Sequence, residues 1–154
     1  MFGLNAMAIE YLDLHLRQQL RIGLPARAIT EVLQLKPGQI CPVPEINPLL
    51  LGVTNWRGKL LWSLNLSDLL LLRADPVPPS QGDALTAIVL TDSAAQRTVA
   101  CIVSKLLGIV EVPEDQVRSL PPQFPAKIRH RFRGVIRLDS PMLLLDPERV
   151  FQIE

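Results

Sequence analysis

The chain has 154 residues, 48% of them apolar and 20% charged, with a formal net charge of +1. That length suits one compact unit or two small units packed closely, with enough chain to bury a core. The near-neutral balance gives no bulk electrostatic case for nucleic acid, and the apolar surplus leaves surface for a partner.

The opening residues MFGLNAMAIEYL hold no Lys or Arg and soon meet Glu10. A secretory leader needs a basic start and a longer apolar stretch, so none is expected here. Apolar runs such as Leu69–Leu72 are too short to cross a bilayer, so no membrane insertion is expected. Cys41 and Cys101 are far apart, and each reads as a small buried hydrophobe. These features point to a cytoplasmic protein.

Fourteen prolines punctuate the chain and bar long helices. Ile9–Leu16 alternates and predicts a half-buried strand, with Gln19–Leu24 pairing back as its hairpin partner. Pro25–Val32 begins with proline and reads as a short helical turn. Leu49–Asn55 and Lys59–Leu66 are two arms of a hairpin. In the second arm Leu60, Trp62, Leu64 and Leu66 share one face. Ser67 and Asp68 open a short capped helix. Residues 74–83, ADPVPPSQGD, have the composition of an exposed connection. Beyond it Leu85–Thr91 and Arg97–Val103 are strands around a polar turn, followed by a strand at Leu106–Val112. Phe132–Leu138 and Met142–Leu145 flank the turn Asp139-Ser140-Pro141. Asp146-Pro147-Glu148 opens a last short helix.

The two halves echo each other. Gly52-Val53 and Gly134-Val135 each open a strand, followed by a turn, a Leu-rich strand, a polar cap and a short helix. The glycines lie 82 apart (134 − 52) and the caps Asn65 and Asp146 lie 81 apart (146 − 65). The echo predicts a mainly β fold of two small five-stranded, SH3-like barrels sharing a core. The first barrel is expected at residues 9–73, the linker at 74–83, the second barrel at 84–145 and a terminal helix at 146–152.

No catalytic pattern is present. The two histidines, His15 and His130, have no Cys, Asp or second His at ligand spacing, so no metal site is expected. No nucleophile elbow, phosphate loop or dinucleotide fingerprint occurs. The one basic cluster, KIRHRFR at 127–133, reads as a solvated loop and strand edge. Its alternative is a β-barrel that binds single-stranded nucleic acid through that patch. A barrel that binds a small molecule or acts as an enzyme is a second alternative.

The segment LLGVTNWRGKLLWSLNL at 50–66 resembles the G-V-x-N-x-R-G turn and following strand of the CheW family. LPARAITEVLQL, TVACIVSKLLGIVEVPEDQV and RGVIRLDSPMLLLDPERVF resemble three further segments of that family, in order, over about Ile9 to Ile153. The resemblance implies two five-stranded barrels and a non-catalytic adaptor without a cofactor. The adaptor that the resemblance implies would couple chemoreceptors to a CheA-type histidine kinase in a flagellar or pilus pathway. The implied partners are the regulatory domain of that kinase and the cytoplasmic tip of a methyl-accepting chemoreceptor, with no nucleic acid. Carried onto this chain, the implied partner-binding residues are Ile29, Glu31, Gly52, Asn55, Arg57, Val103, Leu106 and Gly134. The chain departs from the pattern at Ser104 and Asn65, where the family usually has Asp, and at Trp56, where it often has an aliphatic residue. For Arg57 the residues alone leave two readings open. One is a wet turn residue that folds back onto carbonyls; the other is a planar fork that orders a cleft or touches a partner.

Overall fold

The computed structural model describes residues 7–16, 20–71 and 84–152, so the expected connection at 74–83 lies outside them. In chain order the described elements are β1 (Ala8–His15), β2 (Arg21–Pro25), β3 (Ile29–Leu35), β4 (Ile40–Cys41), β5 (Leu50–Trp56) and β6 (Lys59–Asn65). Then come α1 (Leu66–Leu71), β7 (Leu85–Asp92), β8 (Arg97–Val103), β9 (Lys105–Pro113), α2 (Ala126–Arg129), β10 (Phe132–Arg137), β11 (Pro141–Leu145) and α3 (Pro147–Val150). The protein is mainly β, as the sequence implies.

The strands form two sheets, one in the order β10-β11-β2-β1-β9 and one in the order β3-β7-β8-β6-β5-β4. This corrects the expected partition at 73/84. The six-stranded sheet takes β7 and β8 from beyond the connection, and the five-stranded sheet joins β1 and β2 to β9–β11. The cause is four pairings across the divide that hydrophobic pattern alone does not specify: β1 with β9 and β3 with β7, antiparallel, and β2 with β11 and β6 with β8, parallel.

Side chains facing between the sheets make the shared core. Leu12, Leu14, Ile22 and Leu24 from one sheet meet Leu64, Ile88, Leu90 and Cys101 from the other, with Leu66, Leu69 and Leu70 of α1 among them. Each sheet also has a smaller cluster of its own, one around Ala87, Val89 and Ala100, the other around Tyr11, Val112 and Met142. A strand that feeds both clusters is buried on both faces. Ala87 to Leu90 are all at 0% exposure for that reason. β1 is therefore not the half-buried strand its alternation predicts: Tyr11 to Leu14 are all buried. The polar member, Asp13, is held by Arg21 of β2 through two bonds of 2.9 and 2.7 Å. Fully burying one large apolar side chain contributes about 1.5–3 kcal/mol, so a cluster of this size dominates the stability.

Neither sheet closes into a barrel by its ladders, which corrects the closed-barrel expectation. One continuous stretch of chain runs from edge to edge instead. In the six-stranded sheet β3 leads through a 3-10 turn, Pro37–Gln39, into β4 at the opposite edge. In the five-stranded sheet β9 leads through Glu114–Gln116 to Arg118, which bridges to Val135 of β10. Gly52 and Gly134 occupy the same place in these two closures. A Cβ on Gly52 would stand 2.1 Å from the Cys41 carbonyl oxygen, and one on Gly134 would stand 2.6 Å from that of Arg118. The caps also correspond. Asn65 Oδ1 accepts from the Ser67 amide at 3.0 Å and Asp146 Oδ1 from the Glu148 amide at 3.1 Å.

The Pro25–Val32 segment is a 3-10 turn, Ala26–Ala28, followed at once by β3. The turn is shorter than expected because Ile29 already enters the ladder opposite Leu90.

Candidate functional site

The β5–β6 hairpin turns through two residues, Arg57 and Gly58, with φ of 54° and 79°. Two successive left-handed residues match the right-handed twist of a hairpin, and Asn or Gly usually fills both places. Asn55 steadies the turn by accepting from the Gly58 amide through Oδ1 at 3.1 Å. Arginine at the first left-handed place costs about 1–2 kcal/mol relative to glycine.

The side chain of Arg57 supplies contacts that glycine would lack. Its Nη2 donates to Glu31 Oε1 at 2.6 Å, and Trp56 Nε1 donates to the same oxygen at 3.2 Å. The guanidinium carbon lies 4.9 Å from the centre of the Trp56 ring. Glu31 stands on β3, an outer strand of the six-stranded sheet, whereas the turn belongs to β5 and β6 near the other edge. The pair is therefore a clip across the open side of the curled sheet. Its two members are unequally wet: the Arg57 side chain is 67% exposed, that of Glu31 32%. Among the described residues, no partner is seen for Nε and Nη1 of Arg57, so most of the fork faces outward with donors to spare.

Beside the clip lies an apolar face. Asn55 pairs with Leu60 and Val53 with Trp62, so these four share the outer side of the hairpin. Leu60 is 73% exposed and Trp62 41%, while Leu61 and Ser63, facing inward, are buried. Large apolar side chains grouped on a surface mark contact ground. The sequence placed Leu60 and Trp62 on one face with Leu64, but Leu64 dives into the shared core and the other two do not. The surplus of apolar residues was the available signal for them.

The remaining residues implied by the resemblance separate by location. Ile29 packs on the shared core, Val103 is part of it, and Leu106 lies on its margin beside the β8–β9 junction. Gly52 and Gly134 are the two closures described above, in different sheets, and backbone proximity accounts for both. Thus Glu31, Asn55 and Arg57 come together, and the other five do not join them. Of the departures, Asn65 still caps α1, Ser104 is exposed between β8 and β9, and Trp56 is half-buried as part of the clip.

The family model for the CheW-like domain matches residues 10–154. The chain belongs to the CheW-like domain family. No curated protein matches the sequence. A solved structure, that of the scaffolding protein TtCheW from Thermoanaerobacter tengcongensis, superposes with a TM-score of 0.77. The two are 17% identical, and the match covers 100% of this chain and 94% of that one. That degree of identity shows a common fold, and the two-subdomain β arrangement is that of CheW.

In this CheW-like chain the basic cluster 127–133 is largely committed internally. Its first residues form α2, not the loop expected, because Ile128 and Arg129 amides both bond to the Pro125 carbonyl. Arg129 donates to the Phe124 carbonyl, and Arg131 to the carbonyls of Arg149 and Gln152. Arg133 donates to the Tyr11 hydroxyl at 2.7 Å and pairs with Glu114. Burial holds the Arg131 guanidinium below its ordinary value and the Tyr11 phenol above its own. Arginines that staple carbonyls are not free to track a phosphate backbone. Among the described residues no three His, Cys, Asp or Glu side chains are grouped to hold a metal, and no helix is long and apolar enough to cross a membrane.

Proposed function

We propose that this chain is a non-catalytic adaptor that couples chemoreceptors to a CheA-type histidine kinase in a chemotaxis-type pathway. The family match over residues 10–154 carries this reading. The geometry supports it: a polar clip with outward donors adjoins an exposed apolar face. Glu31, Asn55 and Arg57 receive the cytoplasmic tip of a receptor hairpin, and the kinase regulatory domain docks on a separate edge of the fold. Ile29, Val103 and Leu106 act by holding the core behind these surfaces. Coupling requires that the joined complex bind one kinase state better than the other.

The test is reconstitution from three purified parts: this chain, a receptor cytoplasmic fragment and the kinase. The expected result is that kinase autophosphorylation responds to the receptor fragment only when the chain is present. A response of equal size without the chain, or none with it while both binary bindings are intact, overturns the proposal.

A further inference from the structure

β9 is an outer strand of the five-stranded sheet and nine residues long. One side of it is paired with β1 from Ala8 to His15; along the other side no described strand pairs. An outer strand of this length presents a row of open amides and carbonyls and templates another strand unless something blocks it. Lys105, Leu107, Ile109 and Glu111 form its exposed stripe, with Leu107 at 42% and Ile109 at 62% exposure.

We propose that β9 is a self-association edge, where a second copy of this chain docks antiparallel about a two-fold axis at Gly108. Pairing in that register joins two five-stranded sheets into one. The register follows from the residues. Centred on Gly108, Lys105 of each copy faces Glu111 of the other and Leu107 faces Ile109, so all four exposed positions meet a partner of matching chemistry. Sliding the pairing by two residues either way opposes Lys105 to Ile109 or Leu107 to Glu111. Parallel pairing in register opposes like charges, which is destabilising. A two-fold interface is self-complementary by construction, and K-L-L-G-I-V-E reads the same in chemical type from both ends apart from the signs of its terminal charges, which are opposite and so attract.

The isolated chain supplies an independent reason. Within it, β1 and β9 place Glu10 directly opposite Glu111, and His15 opposite Lys105. Among the described residues none of Glu10, Glu111 or Lys105 has an ion pair. A cation from a second copy at Glu111 relieves the like-charge pair beside it. The dyad also falls on the bulge of β9, where the register against β1 shifts. Both copies therefore bend about the same point. Beyond its two chain neighbours, no atom lies within 4 Å of where a Gly108 Cβ would be, so the sheet face at the dyad is open.

The inference goes beyond the adaptor reading and does not depend on it, because its test contains neither receptor nor kinase. Sedimentation equilibrium of the purified chain at low salt is the measurement. The expected result is a concentration-dependent mass rising towards two chains. Lys105→Glu and Glu111→Lys, each alone, should weaken the dimer roughly tenfold or more, since two attractive pairs become two repulsive ones. Mixing the two single variants should restore it. In a mixed pair one copy presents an acid at both charged positions and the other a cation at both, so each contact is again attractive. Both positions are exposed, so each variant should melt close to the wild type, which separates lost association from lost folding. A wild type that stays monomeric to millimolar concentration overturns the proposal, as does a dimer indifferent to both swaps and to their mixing.

Discussion

Replacing Arg57 separates the clip from the fold. Arg57→Ala removes an exposed ion pair worth about 0.2–1 kcal/mol and a ring contact worth about 0.5–1 kcal/mol, while keeping the left-handed backbone. The loss is therefore roughly 1–2 kcal/mol. For a chain of this size each kcal/mol shifts the Tm by about 2–4 °C, so the fall should be about 2–8 °C. Arg57→Gly loses the same contacts but relieves the φ of 54°. That relief is about 1–2 kcal/mol, less about 0.5–1 kcal/mol for the freer unfolded chain, so it should melt above Arg57→Ala. Arg57→Lys keeps the charge on Glu31 without the planar fork and should rescue partner binding only in part. The assay is a thermal melt of each variant, with binding to a receptor cytoplasmic fragment and to the kinase regulatory domain measured on the same samples. The expected pattern is receptor binding lost in both Ala and Gly variants, although the Gly variant folds nearly as well as the parent. A collapsed melt for Arg57→Ala with normal binding by the remaining folded protein makes Arg57 a structural clamp. Unchanged melts and unchanged binding make it a wet turn residue. Either result sinks the reasoning.

Three other perturbations probe the frame around the clip. Gly52→Ala forces a Cβ against the Cys41 carbonyl at a φ of +142°. It should cost about 3 kcal/mol or more in a denaturant titration, whereas Gly38→Ala, with nothing within 4 Å, should stay within about 0.5 kcal/mol. Arg21→Ala strands the buried carboxylate of Asp13 and should cost about 3 kcal/mol or more; its milder counterpart Asp139→Asn tests pH dependence. Arg21 holds the Asp139 carboxyl below its ordinary 3.8, so that stabilisation is present above the unfolded value and fades as pH falls through the lower folded one. The Tm of Asp139→Asn should then converge on the parent's at the acid end of a pH series, and a gap that widens there contradicts the assignment. The buried Cys101 thiol is pushed up to about 12 by desolvation, while Cys41 is exposed. A thiol reagent at mildly alkaline pH should label one cysteine in the folded chain and two in denaturant.

Particular residues show how far the sequence could be read. The repeat of Gly52 with Gly134 and Asn65 with Asp146 was visible because a backbone approach demands glycine and a helix start demands a cap, each at a fixed place in its unit. β3 was hidden because Ile29, Glu31, Leu33 and Leu35 alternate with a set containing Val32, and the preceding proline suggested a helical turn. α2 was missed because four residues are too few to show a helical period. The partition between sheets was not legible, since alternation says that a segment is a strand and not which strand it pairs with. The clip joins residues 26 apart (57 − 31), and spacing carries no signal for a contact made by the curl of a sheet. Arg57 itself stood out as an arginine in a short polar turn between two apolar runs. Leu60 and Trp62 could only be placed on one face with Leu64 and Leu66, because alternation does not tell a core face from a docking face.

The exchange of strands between halves also bears on how the chain assembles during synthesis. β3 to β8 are contiguous, so the six-stranded sheet has every strand it needs once Val103 has emerged. The five-stranded sheet does not: Ile22 of β2 pairs with Leu143, 121 residues later (143 − 22). The β1–β2 hairpin must therefore wait, with the outer edge of β2 unpaired, until nearly the whole chain is made. Distant pairings form slowly because the intervening loop must close first. In refolding followed by pulsed hydrogen exchange, amides of β7 and β8 should gain protection before those of β2 and β11. The waiting hairpin is the segment a chaperone has most reason to cover.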